Sequence, residues 1–182
     1  MTADARESLV EAARELYADN GVAATTPRQV LARSGVGQGS LYHHFPSKRD
    51  LAVAAVTRTV DRALAAAIED LRGTTAPRRR IVSYLERSRD AVRGCRVGRL
   101  TSDPMVMADE DLAKAVADYF GDLIEEVAAV FAEDGLPPGE ARERGVAAVA
   151  IIQGGYVLSR ATQDPEMMRS AVRGFLGLLG ER

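Results

Sequence analysis

The sequence predicts an all-α protein, with a small N-terminal unit of three helices followed by a larger helical bundle. Apolar residues recur at spacings of three and four through nearly all of its 182 residues, and this is the period of an amphipathic α-helix. Hydrophobic residues make up 46 % of the chain and charged residues 27 %, which is typical of a folded globular protein. Glycine and proline breaks divide the chain into nine helical segments.

The first three helices are short and have recognisable ends. The first covers about Asp4 to Asn20 and stops at Gly21, a residue type that commonly ends helices. Thr26-Pro27-Arg28-Gln29 forms a capping box, with proline at the first helical position, and opens the second helix. Ser34-Gly35 ends that helix, and a third covers about Gln38 to Phe45.

The other six segments form the bundle. Ser47 to Asp50 caps a long fourth helix, and the region from Gly94 to Asp109 is interrupted and holds at most a short sixth helix. The remaining helices are expected at about 48–71, 77–93, 111–133, 140–163 and 165–179.

Composition excludes several functional classes. One cysteine cannot form an internal disulfide, and the only two histidines, His43 and His44, are adjacent and lack a third metal ligand at helical spacing. We therefore expect no catalytic residues, no metal and no cofactor, and the protein is not expected to be an enzyme. No uncharged run reaches the 18 residues of a membrane span, so we expect a cytoplasmic protein without membrane contact.

Positive charge is concentrated on one short stretch of a chain whose net charge is −2. Residues 26–49 carry four basic side chains and no acid. The order helix, glycine turn, short helix is that of a helix-turn-helix, whose second helix can enter the major groove of DNA. A helical hairpin that only packs a core, with Leu41 and Phe45 inside, is the alternative.

Two blocks of opposite charge follow. Residues 72–99 hold nine arginines and two acids, whereas residues 103–143 hold twelve acids and two bases. Mutual pairing and solvated faces explain this pattern most simply. Alternatively, the acidic block keeps the bundle away from DNA, so that only the N-terminal unit engages it.

The N-terminal region resembles the tetracycline-repressor family of bacterial regulators. The resemblance rests on Thr25-Thr26, Gly35-Val36, and the run from Gly39 through Leu41-Tyr42-His43-His44-Phe45 to Lys48. It implies a DNA-binding domain at residues 1–46 and a ligand-binding and dimerisation domain at residues 47–182. By position it implies DNA contacts from Thr26, Arg28, Gln38, Ser40, Tyr42, His43 and Lys48. The sequence departs from the family at Gly37, which offers no hydroxyl to a phosphate.

The bundle carries two further expectations, one of them for a ligand pocket. The family places its pocket there, and soft methionines and amphipathic tyrosines suit an adaptable apolar site. The candidate lining residues are Tyr84, Met105, Met107, Tyr119, Phe120, Gln153 and Tyr156. Each of them alone is more often an ordinary core residue. The stretch Gly94–Gly98 also resembles a subgroup linked to drug and flavonoid sensing.

The second expectation is a dimer interface. Val146 to Leu158 is apolar all round except for Gln153 and Tyr156, so a helix there must be covered on both sides. The last two helices dimerise in the family. The predicted interface residues are Val149, Ile152, Gly155, Phe175, Leu176 and Leu179.

Together these observations predict a homodimeric, ligand-responsive transcriptional regulator, with a repressor as the expected form. Its partners would be double-stranded DNA with a palindromic operator, a small apolar or aromatic effector, and a second copy of itself. A DNA-binding architectural protein without a ligand is the first alternative, and a helical enzyme or adaptor without a DNA role is the second.

Overall fold

The computed structural model describes the backbone of residues 2–180 and the side chains of residues 5–180. Within this range the chain forms nine α-helices, one short 3-10 helix and no strand. The α-helices are α1 Thr2–Asn20, α2 Pro27–Ser34, α3 Gln38–His44, α4 Lys48–Leu71, α5 Pro77–Glu86, α6 Pro104–Met107, α7 Glu110–Glu133, α8 Pro138–Thr162 and α9 Glu166–Gly180, and the 3-10 helix is Gly98–Ser102. The predicted all-α class is confirmed.

The chain packs as two compact units. The N-terminal unit comprises the residues up to Arg62 together with Arg96–Asp118, and the C-terminal unit comprises Ala63–Cys95 and the chain from Tyr119 onward. The domain boundary after residue 46 stays a prediction, and its outer limits at residues 1 and 182 lie outside the described residues. None of the helices within residues 2–180 combines the length and the apolar character required to cross a membrane.

The N-terminal unit is organised around α1, which packs against α2 and α3. Its core contains Val30 of α2, Leu41 of α3 and Phe45, which are at most 3 % exposed. The predicted capping box is present, since the backbone N–H of Gln29 donates to Thr26 Oγ1 and the Gln29 side chain accepts from the Thr26 N–H. Because both ends of the helix-turn-helix are set by local caps, the predicted bounds are close to those observed.

The C-terminal unit is built on α8, which packs against α9, while α5 also contacts α9. Tyr84, Leu85 and Val127 are almost completely buried in its core. Two pairs join the oppositely charged blocks: Arg72 with Glu126, and Arg80 with Glu133. These contacts agree with the simpler explanation of the charge pattern, in which the blocks pair with each other.

The fifth helix is shorter than the sequence predicts, because it ends at Glu86 and not near Arg93. The cause is the side chain of Arg89, whose guanidinium donates to the carbonyl oxygens of Tyr84, Leu85 and Arg87. Carbonyls at a helix C-terminus lack intrahelical partners, and a cation there is favourable. Arg89 therefore terminates α5 and leaves residues 87–97 without regular helix.

Candidate nucleic-acid interface

Helix α3 has one buried face and one exposed polar face. Leu41 and the following Phe45 point into the core of the N-terminal unit, whereas Gln38, Tyr42 and His43 are exposed. Gln38 and Tyr42 are four residues apart, so they share a face of the helix. Tyr42 is 49 % exposed although its side chain is large. The exposed surface of α3 therefore carries the amide of Gln38, the phenol of Tyr42 and the imidazole of His43. Such groups can donate to phosphates, and they can donate to or accept from base edges.

The other predicted residues of α3 are less accessible. Ser40 is half-buried, and so is His44, whose ring lies against those of His43 and Phe45. Gly37 caps α3 without a side-chain hydrogen bond, as the sequence predicted. The N-cap position of α3 therefore offers no hydroxyl to an anion.

Helix α2 contributes positive charge beside this face. Arg28 and Arg33 are exposed, and within the described residues neither forms a hydrogen bond or an ion pair. Thr26 is exposed at the N-cap of α2, where its hydroxyl is already engaged with Gln29. The two guanidinium groups thus remain available to bind the phosphates of DNA. Contacts to phosphates supply much of the affinity of a protein for DNA.

The two basic residues at the start of α4, Lys48 and Arg49, already bind other groups of the chain. Lys48 is half-buried, and its ammonium donates to the carbonyl oxygen of Ala23 at 2.9 Å. Arg49 binds Asp109 at 2.5 Å and Asp111 at 2.5 Å. The hydrogen bond from Arg49, with two backbone N–H groups, holds the pKa of Asp109 below its usual value. Sequence reasoning missed these partners because they lie more than 20 positions away along the chain.

A cluster of tyrosines lies inside the C-terminal unit. Tyr84 and Tyr119 are buried and Tyr156 is half-buried. Burial raises the pKa of all three phenols, to about 12 for Tyr156, and the neighbouring Cys95 adds to each rise. Gln153 donates from Nε2 to Cys95 Sγ at 3.6 Å. The structure therefore brings four of the seven predicted pocket residues, the three tyrosines and Gln153, around one thiol.

The remaining predicted pocket residues have different surroundings. Phe120 is half-buried and stacks edge-on against Tyr119, with 5.0 Å between ring centroids. Met105 and Met107 belong to the N-terminal unit, where Met105 is half-buried and Met107 is exposed. Arg89, which the sequence placed in a helix, lies over the ring of Tyr84 at 5.3 Å from its centroid. Nothing in the local pattern distinguishes Arg89 from the other arginines of residues 72–99.

The structure also locates the residues predicted to form a dimer interface. Val149, Ile152, Gly155 and Phe175 are buried within the single chain, and Leu176 and Leu179 are half-buried. A Cβ atom on Gly155 would clash with Met168 Sδ and lie 3.2 Å from Met168 Cα, so this glycine contacts α9 of its own chain. The exposed apolar residues of these two helices are instead Val146, Val157, Leu158 and Leu178. The interface itself stays a prediction.

Two family models match the chain. The model described as bacterial regulatory proteins, tetR family, matches residues 9–55, which contain α2 and α3. The model described as the C-terminal domain of LmrA/YxaF-like transcriptional regulators matches residues 76–173. Both matched families are transcriptional regulators and not enzymes.

Individual relatives extend over most of the chain. The uncharacterized HTH-type transcriptional regulator YxaF of Bacillus subtilis (strain 168) is 28 % identical over 171 residues, covering 88 % of this chain and 87 % of the relative. The HTH-type transcriptional activator FasR of Mycolicibacterium smegmatis is 32 % identical over 154 residues, covering 80 % and 68 %. A TetR transcriptional regulator from Chloroflexus aurantiacus has the same fold, with a TM-score of 0.86, 19 % identity, and coverage of 100 % and 96 %.

Proposed function

This chain belongs to the tetR family of bacterial regulatory proteins, and from that premise we propose that it is a homodimeric repressor released from a palindromic operator by a small apolar effector. The observation that carries the proposal is the exposed polar face of α3 beside two unpaired arginines of α2. Such a face can read base edges while the arginines hold the phosphates. As a regulator of transcription it acts where the chromosome lies, in the cytoplasm.

Different residues have different roles at the operator. Gln38 and Tyr42 are proposed to contact base edges, because they are exposed on one face of α3. An amide that donates and accepts matches the pattern of adenine in the major groove. Arg28 and Thr26 are proposed to contact the DNA backbone from α2, with Ser40, His43 and Lys48 as further contacts.

The experiment that tests these roles uses duplex DNA that the wild-type protein selects from a random pool. Arg28→Ala should weaken binding to all sequences about equally and lower the salt slope by about 1. Gln38→Ala should cost about 1–3 kcal/mol at one base position only. Failure of the wild-type protein to select any sequence would favour the architectural alternative. A reporter gene behind the selected site decides the sign of regulation, with a fall in expression expected from a repressor.

The effector site is proposed to lie at the tyrosine cluster formed by Tyr84, Tyr119 and Tyr156 with Gln153. Aromatic walls with a few polar groups suit a small aromatic molecule that carries hydroxyl or carbonyl groups. In the same DNA assay, aromatic compounds that raise the melting temperature should release the selected duplex, because binding and release are linked. A compound that stabilises the protein strongly and leaves DNA affinity unchanged would show that the cluster does not sense it.

The dimer interface is proposed to be the exposed apolar stripe of α8 together with Leu178 of α9. Along α8, Val146 and Val157 lie about three turns apart on one face, with Leu158 next to Val157, and the three side chains are 41–68 % exposed. Exposed apolar patches of this kind mark association surfaces, and a twofold interface pairs the same patch on both copies.

The interface is tested by placing a charge at its centre. Val157→Glu and Leu178→Glu should each yield monomers in sedimentation, because two carboxylates would meet in an apolar seam at a cost of several kcal/mol per ion. Met107→Glu is the matched control, since Met107 is also a large exposed apolar residue, at 51 %, but lies in the N-terminal unit. Dimers that survive both substitutions would place the interface elsewhere.

A further inference from the structure

One buried carboxylate joins two distant segments of the N-terminal unit. Asp103 is 7 % exposed, and its Oδ2 accepts hydrogen bonds from the backbone N–H groups of Val22 at 2.6 Å and Ala23 at 3.1 Å. Its Oδ1 accepts from Met105 at 3.0 Å and Val106 at 3.3 Å, which caps α6. The first pair lies about 80 positions from the second along the chain. A single side chain therefore holds α6 and the turn between α1 and α2.

The Asp103 carboxylate lies directly against the backbone of that turn. Gly21 has a φ of +86°, a conformation that glycine adopts without strain. A Cβ atom at Gly21 would lie 2.8 Å from Asp103 Oδ2, so the carboxylate packs directly on the backbone. Val22 and Thr25, which both follow Gly21 in the chain, are buried, and the Thr25 hydroxyl donates to the Gly21 carbonyl at 2.7 Å.

Cations hold the carbonyl oxygens of the same region. The guanidinium of Arg99 donates to the carbonyls of Ala18 and Asp19 in the last turn of α1. The ammonium of Lys48 donates to the carbonyl of Ala23. The carboxylate of Asp103 thus accepts hydrogen bonds from backbone N–H groups, and the two cations donate hydrogen bonds to backbone carbonyls. Charge-assisted hydrogen bonds of this kind are stronger than those between neutral groups.

We infer that Asp103 is a positioning residue for sequence-specific DNA binding, because its carboxylate sets the turn that orients α2 and α3 on α1. This inference rests on the proposed function, and it adds a structural link between α6 and the DNA-binding helices. The α6 cap and the turn between α1 and α2 share one carboxylate, so a displacement of α6 would be transmitted to that turn through Asp103. Sequence reading counted Asp103 only as one acid in a charged block.

If Asp103 positions α3, its replacement should lower the affinity for specific DNA more than the affinity for non-specific DNA. Non-specific binding depends on phosphate neutralisation, and the exposed arginines of α2 keep their charge when Asp103 is replaced. Specific binding also needs the exposed face of α3 to meet base edges at the right angle and depth. Loosening the turn should therefore lower affinity for the selected sequence more than affinity for unselected DNA.

Asp103→Asn is the sharpest variant, because it keeps the size of the side chain. An amide has one oxygen and one NH2 group, so it can accept from one pair of backbone N–H groups while it presents donors to the other pair. Gly21→Ala disturbs the same contact from the opposite side. Val116→Ala is the control, since Val116 is buried in α7 of the same unit, its truncation lowers stability, and its side chain forms none of the hydrogen bonds that hold the turn.

The readout is the ratio of dissociation constants for unselected and selected duplex, measured by fluorescence anisotropy on variants whose folding is confirmed by circular dichroism. Asp103→Asn should lower this ratio at least about fivefold, the smallest loss expected when one base contact is weakened. Gly21→Ala should lower it too, and the double variant should be less than additive. Val116→Ala should leave it unchanged, because a smaller folded fraction weakens both affinities equally.

Three results would overturn the inference. A wild-type ratio in both folded Asp103→Asn and Gly21→Ala would show that the turn does not position α3. An equal fall in Val116→Ala would reduce the effect to general destabilisation. A wild-type protein that selects no preferred sequence would refute the proposed function, and this inference with it.

Discussion

Gly145 of α8 packs closely against the backbone of α7. A Cβ atom at this position would sit 2.8 Å from the carbonyl oxygen of Ile124 and 3.2 Å from the Ala128 Cβ. The nearest obstacle is a backbone atom, which cannot move aside like the end of a flexible side chain. Gly145→Ala must therefore push the two helices apart. Gly121→Ala in α7 is the matched control, because it lies inside a helix and has no atom within 4 Å of its added Cβ.

The difference between the two variants isolates the packing cost. Each substitution removes a glycine from a helix interior and gains roughly 0.5–1 kcal/mol for that reason alone. Overpacking at Gly145 costs about 1–3 kcal/mol. The helix terms cancel in the comparison, so Gly145→Ala should be less stable than Gly121→Ala by about 1–3 kcal/mol. For a chain of this length, a gap of about 2 kcal/mol corresponds to a melting temperature lower by roughly 4–8 °C.

Thermal unfolding followed by circular dichroism at one fixed protein concentration measures the gap, since the melting temperature of any protein that self-associates depends on its concentration. Gly121→Ala should melt at or slightly above the temperature of the wild-type protein. Equal melting temperatures for the two variants would refute the argument, because they would mean that α7 and α8 separate at no cost.

Two further predictions concern charge. Replacing Asp109 and Asp111 by asparagine releases Arg49, so binding to random-sequence duplex should tighten and the salt slope of binding should steepen by about 1. The control is a Glu110→Gln/Asp122→Asn variant, which removes the same charge but no partner of Arg49. An equal change in the salt slope of the control would contradict the prediction. The raised pKa of Tyr156 means that its contribution to stability is complete below pH 10.0 and is lost as pH rises toward about 12. In urea unfolding at alkaline pH, Tyr156→Phe should therefore lose less stability than the wild-type protein between these two values, and parallel curves would refute the assignment.

Local chemistry determined the N-terminal helices. The caps at Thr26 and Ser47 act on backbone groups within three residues, and Gly35 ends α2 because glycine adopts its positive φ without strain. The 3.6-residue period then predicts that Leu41 is buried and Gln38 is exposed, and this prediction needs no information about the rest of the molecule. For this reason the helix-turn-helix and its exposed face follow from the sequence alone.

Tertiary packing decided which side chains are already occupied. Asp103 meets the amide of Val22 across 81 positions, and Arg49 meets Asp109 across 60, with no local pattern that signals either contact. Gly155 illustrates the same limit, because an apolar helix surrounded by apolar residues carries no mark of which side its own chain covers. Periodicity describes one helix at a time. The partners of each face are set by the packing of distant segments, and only the folded chain contains that information.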